Sequence, residues 1–274
     1  RTNEYMKWGE EENVITHFDI SFGNTCNLDC VMCGTNYSSK WQKIHQKYTG
    51  LLKEHGVFKN NVMSYEMIDS LFERRLFDNV VYISVKGGEP FFDKRFKYFL
   101  NKLEQIGKTD IHIECITNGT VVDFDLLKKF PRFHLVFSLD GTSEIYKWIR
   151  GVDFNPTFSN LLRCKLTHTV DVNIAVSMFN LENIPKLLSL LECFDLKLTT
   201  ILVNDVNQNI RHLGKERIEK VKNEIEKFSH VLNNELQIVF DREATEEEKI
   251  LAEYLISCFE DHRNMKCPVE IDFD

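Results

Sequence analysis

Three of the chain's eight cysteines fall within the eight residues of "CNLDCVMC", at Cys26, Cys30 and Cys33. Thiolates ligate soft metals and thiols pair as disulfides, so the C-x3-C-x2-C spacing opens three readings. These are a zinc grip, half of a disulfide framework, or three ligands that leave a fourth position open. The cysteines are too close to bridge one another comfortably. A chain of 274 residues also has no need of disulfides to hold a core. A reduced, cytosolic setting with metal-binding thiolates follows. Zinc usually takes four protein ligands as two pairs of nearby residues. No second pair is at hand: Cys258 and Cys267 are too widely spaced for a ribbon, and His45 and His55 lie in a separate insertion. Three thiolates on one loop instead suit three corners of a [4Fe–4S] cube, whose remaining iron is free to be chelated.

Positioning such a loop requires a scaffold, and the sequence describes one. Short β-rich runs recur at 17–22 ("HFDISF"), 80–85, 111–116, 134–139, 172–178 and 197–203. Helical periodicity fills stretches between them, at 64–77 with Ser64 as N-cap, at 95–107 and at 184–194. Alternation of this kind predicts a parallel sheet wrapped by helices, either an open doubly wound sheet or a complete or partial barrel. Both place ligands at the C-terminal ends of the strands. Two segments break the rhythm: a lysine-rich insertion at 36–62, and everything after about 204. The latter reads as a charged helix, a strand at 236–240 and a helix from Thr245 to about Phe259. The insertion reads as a solvated helix face, or as a lid or docking surface for an acidic substrate. Trp41 within it either caps the cysteine loop or packs on the barrel.

The first strand runs into the cysteines, and each later strand end also carries polar or glycine punctuation. "KGGEP" (86–90) follows the second, where Gly87 and Gly88 let backbone approach a ligand and Glu89 offers a carboxylate to an ammonium group. "TNGT" (117–120) follows the third and "SLDG" (138–141) the fourth, with Arg150 and Gly151 further on. Singly these are ordinary turn sequences; in this order they mark a rim.

On these motifs the chain resembles the radical S-adenosylmethionine (SAM) enzymes. The C-x3-C-x2-C loop with Met32 before its last cysteine, "GGEP", "TNGT" and "SLDG…RG" carry the likeness, over roughly residues 15–204. The last spacing leans toward the branch with C-terminal SPASM or twitch extensions. The resemblance implies an α/β fold, a partial (β/α)6 barrel over 15–204 with a small C-terminal α+β extension over 205–274, after an N-terminal segment 1–14. It implies a [4Fe–4S] cluster on Cys26, Cys30 and Cys33. SAM would be held by Gly87, Gly88 and Glu89, with Ser138, Arg150, Asn118, Asp140 and Ser177 as further contacts. Reductive cleavage would yield a 5′-deoxyadenosyl radical that takes hydrogen from a substrate. An electron donor such as flavodoxin or ferredoxin is implied as partner. Cys258 and Cys267 fall where relatives bind auxiliary clusters. Two ligands do not complete a second cluster, so the extension is expected to be degenerate or to stop before its remaining cysteines. Cys115, Cys164 and Cys193 read as buried, inert thiols.

The branch points to a peptide as substrate, with a sugar, nucleoside or other small metabolite as the alternative. A non-catalytic cluster- or zinc-binding interaction protein is the reading from another class, and the intact cysteines and Glu89 speak against it. A net charge of −8 argues against nucleic acid as a loosely held partner. No apolar run approaches the roughly 18–20 residues of a membrane span. No charged-then-apolar leader is visible, and a start at Arg1 rather than Met suggests residues missing ahead of it.

Overall fold

The computed structural model of the chain describes residues 14–48, 62–232 and 242–273. In chain order it contains β1 (His17–Ile20), α1 (Trp41–Lys47), α2 (Tyr65–Glu73), β2 (Tyr82–Val85), α3 (Lys94–Gln105), β3 (His112–Thr117) and α4 (Phe124–Leu127). There follow β4 (Phe133–Ser138), α5 (Ser143–Arg150), α6 (Phe154–Lys165), β5 (Thr169–Val176), α7 (Ile184–Glu192), β6 (Lys197–Leu202), α8 (Gly214–Ile225) and α9 (Glu246–Arg263). All six predicted strands over 17–203 form. The fifth begins earlier than its alternation suggests, because Thr169 pairs with His134 of β4.

Every strand pairs in parallel with the next, in the spatial order β1-β2-β3-β4-β5-β6. A doubly wound sheet would reverse direction at a switch point. None occurs here, so the chain follows a barrel's path and stops short of closure, with β1 and β6 as edges. This is a partial (β/α) barrel with additional C-terminal helices. After α8 the chain returns to the β6 edge, where Leu232 bridges Leu198. The strand expected at 236–240 lies outside the described residues, as does His55.

Alternation in the strands divides the sheet's two faces. Ile83, Val85, Ile113, Leu135, Val172 and Ile174 are fully buried beneath the helices. That packing, with the Phe22, Phe72, Phe77, Phe96 and Phe99 rings against one another, supplies most of the favourable free energy. Helix starts are fixed locally: Ser64 accepts from Met67 N (3.2 Å), Asp93 from Arg95 N (3.0 Å) and Asp123 from Leu126 N (3.0 Å). Thr245 and Glu248 form a capping box at the start of α9. Among the described residues, no helix is long and apolar enough to cross a membrane.

The other face of the sheet is polar. Near its N-terminal end His134 sits between two carboxylates, with Nε2 2.9 Å from Asp171 and Nδ1 3.3 Å from Glu114. Those two hydrogen-bonded carboxylates push its pKa from 6.5 to about 9, against the opposing effect of burial. A pKa raised in the folded state adds stability that is complete below about 6.5 and lost as pH rises through about 9. Urea midpoints should therefore fall between pH 7 and pH 9, about the His134 range. His134→Asn should flatten that fall and cost about 1.5–3 kcal/mol at pH 6, the worth of hydrogen bonds to charged groups.

Candidate active site

The cysteine loop leaves β1 and is pinned at many points before α1 begins. Ser38 Oγ donates to Leu28 O (2.5 Å), Asn24 Nδ2 to Thr35 O (2.8 Å) and Cys33 N to Cys30 O (2.9 Å). Trp41 Nε1 donates to Cys30 O at 2.7 Å, and its ring packs on Phe259 of α9 at 5.4 Å. Trp41 therefore braces the loop's backbone from the side of α1. Two of the sulfurs receive donors, while Cys33 Sγ itself donates to Gly34 O at 3.8 Å. Leu28 N lies 3.4 Å from Cys26 Sγ, Asn118 Nδ2 3.9 Å from the same sulfur, and Arg150 Nη1 3.5 Å from Cys30 Sγ. Burial raises all three thiol pKa values, that of Cys26 to about 11, and charge on Cys30 further raises those of Cys26 and Cys33. The three thiols thus share one electrostatic neighbourhood in which burial favours the protonated form. Among the described residues, no group of three or more His, Cys, Asp or Glu side chains is arranged to hold a single metal ion.

The loop after β2 is built to lie flat on this one. Gly87 and Gly88 have φ of +88° and +53°. A Cβ on Gly88 would stand 2.3 Å from Thr25 O, one residue before Cys26, and a Cβ on Gly87 2.2 Å from Ser21 Oγ. Only glycine satisfies both the dihedral and the clearance. Glu89 N then donates to Thr25 O at 2.8 Å, locking the two loops together.

Glu89 is 1% exposed. Its carboxylate accepts from Asn118 N (2.6 Å), Thr117 Oγ1 (2.7 Å) and Phe91 N (3.2 Å). Burial drives its pKa up to about 7, with those three donors pulling the other way. A carboxylate has about four acceptor positions, so one remains for an incoming donor. The sequence points this group at a ligand; most of its capacity in fact goes to joining β2 to β3.

The remaining expected residues divide in two. Asn118 bridges Cys26 to Asn27, whose Oδ1 it reaches at 3.0 Å. Asp140 is fully buried, accepts from Ala175 N at 2.8 Å and is ion-paired to Arg150. Arg150, at the end of α5, spans from Asp140 to Cys30 and keeps a buried Nε with no hydrogen-bond partner. These groups meet at the cysteine loop. Ser138 ends β4, half-buried. Ser177 is buried within a turn, its N–H given to Asn180 Oδ1 at 2.7 Å and its Oγ 3.3 Å from Phe179 N. Cys258 is buried on α9, and Cys267 lies beyond it with its backbone N–H on Glu260 at 2.9 Å. Cys115 and Cys164 are buried, but Cys193 is exposed, because α7 ends at Glu192 and turns its last residues to solvent. Sequence reasoning missed Asn27, Thr117, Asp29 and Arg263; Asp29, inside "CNLDC", carried a signal as an acid held among thiols.

The glycine geometry yields a paired test. Gly88→Ala should destabilise the protein by at least about 1–2 kcal/mol, the cost of a Cβ in left-handed backbone, before any cost from the contact with Thr25. Gly34→Ala, where an added Cβ meets nothing within 4 Å, should leave the urea midpoint unchanged.

The model of the family described as "Radical SAM superfamily" matches residues 20–193. No curated protein matches the chain. Among solved structures, polyhistidine-tagged anSMEcpe with bound AdoMet is 19% identical with a TM-score of 0.57, covering 78% of this chain and 58% of that one. Streptococcus suis SuiB bound to S-adenosylmethionine is 15% identical with a TM-score of 0.54, covering 82% and 52%. SuiB bound to its precursor peptide SuiA is 17% identical with a TM-score of 0.52, covering 78% and 47%. The chain thus spans about half to three fifths of the length of these proteins, which share its fold. With the family model covering residues 20–193, from the last residue of β1 to just past the end of α7, the chain belongs to the radical SAM superfamily.

Proposed function

We propose that the chain holds a [4Fe–4S] cluster on Cys26, Cys30 and Cys33, binds SAM at its open iron, and modifies a peptide. The observation that carries this reading is the thiol set. Three sulfurs lie on one braced loop, each raised in pKa by burial, with Cys30 Sγ against Arg150, whose buried Nε has no partner. Such thiols suit a cationic cluster, which would replace their protons and gain from N–H donation to the sulfurs. When bound, cluster and SAM supply reductive cleavage of the sulfonium C–S bond to methionine and a 5′-deoxyadenosyl radical, which takes a hydrogen atom from the substrate.

The chain's own residues bind, orient and shield. Glu89 has one acceptor position for the methionyl ammonium of SAM, whose charge would draw its pKa back down. Gly87 and Gly88 bring backbone close without side chains in the way, and Asn118 orders the rim beside Cys26. Arg150 holds Cys30 Sγ from the buried side. Ser138, Asp140 and Ser177 support the ends of β4 and β5 beneath the rim. Cys258 and Cys267 stay outside this set, so one cluster is expected. A peptide substrate is supported by the solved structures of similar fold that hold peptides, SuiB with SuiA and anSMEcpe with the Cp18Cys peptide. The open polar face of the sheet, with Ser84, Asn173 and Thr199 partly exposed, offers hydrogen bonds to an extended chain. Electrons would come from a flavodoxin- or ferredoxin-like donor in a reduced, cytosolic setting.

Anaerobic reconstitution should give about four irons per chain, not the eight of two clusters. Cys30→Ala should lose the iron and all 5′-deoxyadenosine formation with dithionite and SAM, whereas Cys164→Ala should retain both. Glu89→Gln should keep its iron yet bind SAM about tenfold or more weakly, having lost a charge-assisted hydrogen bond. Zinc binding in place of iron, or equal loss in the two cysteine variants, would overturn the reading.

A further inference from the structure

Asp29 immediately precedes Cys30, and among the described residues its carboxylate is held by the end of α9. His262 Nε2 lies 2.9 Å from Asp29 Oδ2, and Arg263 Nη1 lies 3.5 Å from Oδ1. Arg263 Nη2 also donates to two carbonyls, Asp29 O at 2.9 Å and Ile149 O at 3.3 Å. Ile149 O accepts in turn from Val31 N at 2.8 Å. The guanidinium therefore grips the residue before Cys30 directly, and through Ile149 it shares an acceptor with the residue after it.

This guanidinium is enclosed. Its side chain is 7% exposed, its Nε is buried without a partner, and it lies 5.2 Å from the centre of the Phe259 ring. Phe259 rests on Trp41, whose indole N–H holds Cys30 O. Room for Arg263 exists because Gly151 has no side chain: a Cβ there would stand 2.0 Å from Nη1 and 3.0 Å from Asp29 Oδ1. Helix α9 ends at once beyond Arg263, with Asn264 left-handed at φ +49°. A cation in the last turn of a helix is favoured by the helix dipole.

We propose that α9 is a clamp on the cysteine loop, in which Arg263 is a positioning residue that fixes Cys30 and supplies a permanent positive charge that raises the cluster's reduction potential. Helix α9 then serves the cluster from outside the sheet. A fixed cation beside a group that gains an electron stabilises the reduced state, and burial keeps water from screening it. The proposal rests on the cluster assignment to Cys26, Cys30 and Cys33.

The test compares reconstituted wild type with Arg263→Gln, Arg263→Lys and Lys266→Gln, measuring iron content and the EPR-monitored reduced fraction at fixed potential. Lys266 is the control, an exposed cation of the same segment paired with Glu260. Arg263→Gln should lower the ratio of reduced to oxidised cluster by about tenfold, the scale of one unit charge at short range and intermediate dielectric. Arg263→Lys should recover part of this, keeping the charge but not the fork, and Lys266→Gln should match wild type. If Arg263→Gln does not fold, the isosteric Asp29→Asn carries the test: removing the anion should shift the ratio the opposite way. Iron-loaded variants with wild-type ratios overturn the clamp alone. A wild type that binds no iron overturns the cluster reading instead.

Discussion

A guanidinium buried at the mouth of the sheet is the constraint around which the site is arranged. Arg150 is a charge taken out of water, which is costly unless it is paired and hydrogen-bonded. Asp140 supplies the pair, and is itself held by the Ala175 N–H. One ion pair therefore ties the end of β4 to β5 and to the last residue of α5. From there Arg150 reaches Cys30, and the neighbouring Ile149 carbonyl holds Val31. Displacing Arg150 would strand Asp140 in the core and release the middle of the cysteine loop together.

A second set of constraints comes from the opposite side of the loop. Gly88 lies against Thr25, Glu89 N bonds to the same carbonyl, and the Glu89 carboxylate collects donors from the third strand's end. Burial has raised the pKa of the thiols and of Glu89 alike, for the same reason: each would carry negative charge in a low dielectric. A site whose thiols and Glu89 are pushed toward neutrality is one that gains by admitting positive charge. That property is electrostatic and belongs to the packed loops, since each group alone in solution would behave ordinarily.

Much of the scaffold was legible because strand periodicity is a local signal. All six strands over 17–203 follow from alternation, and Ser64 and Thr245 cap the helices they precede. The turn after β4 hid α5, which is eight residues long and bounded by Gly141 and Gly151. Cys193 read as buried by its helical neighbours, yet it lies just past the last residue of α7, where the helix face no longer governs burial. The choice between barrel and doubly wound sheet was not legible from periodicity, because both write the same alternation and differ only in which strands become neighbours.

By itself the sequence determined the three thiols, their spacing on one loop, and the order of motifs along successive strand ends, since these are properties of adjacent residues. Only the tertiary structure decided what each group touches. It turned Glu89 inward to join two strands, made Asp140 a counter-ion, withdrew Ser177 into a turn, and set Arg263 against Asp29, 234 positions before it in the chain. The reason is physical: burial, pairing and clearance depend on distances through space, and a contact between residues far apart in the chain leaves no periodic mark on either one.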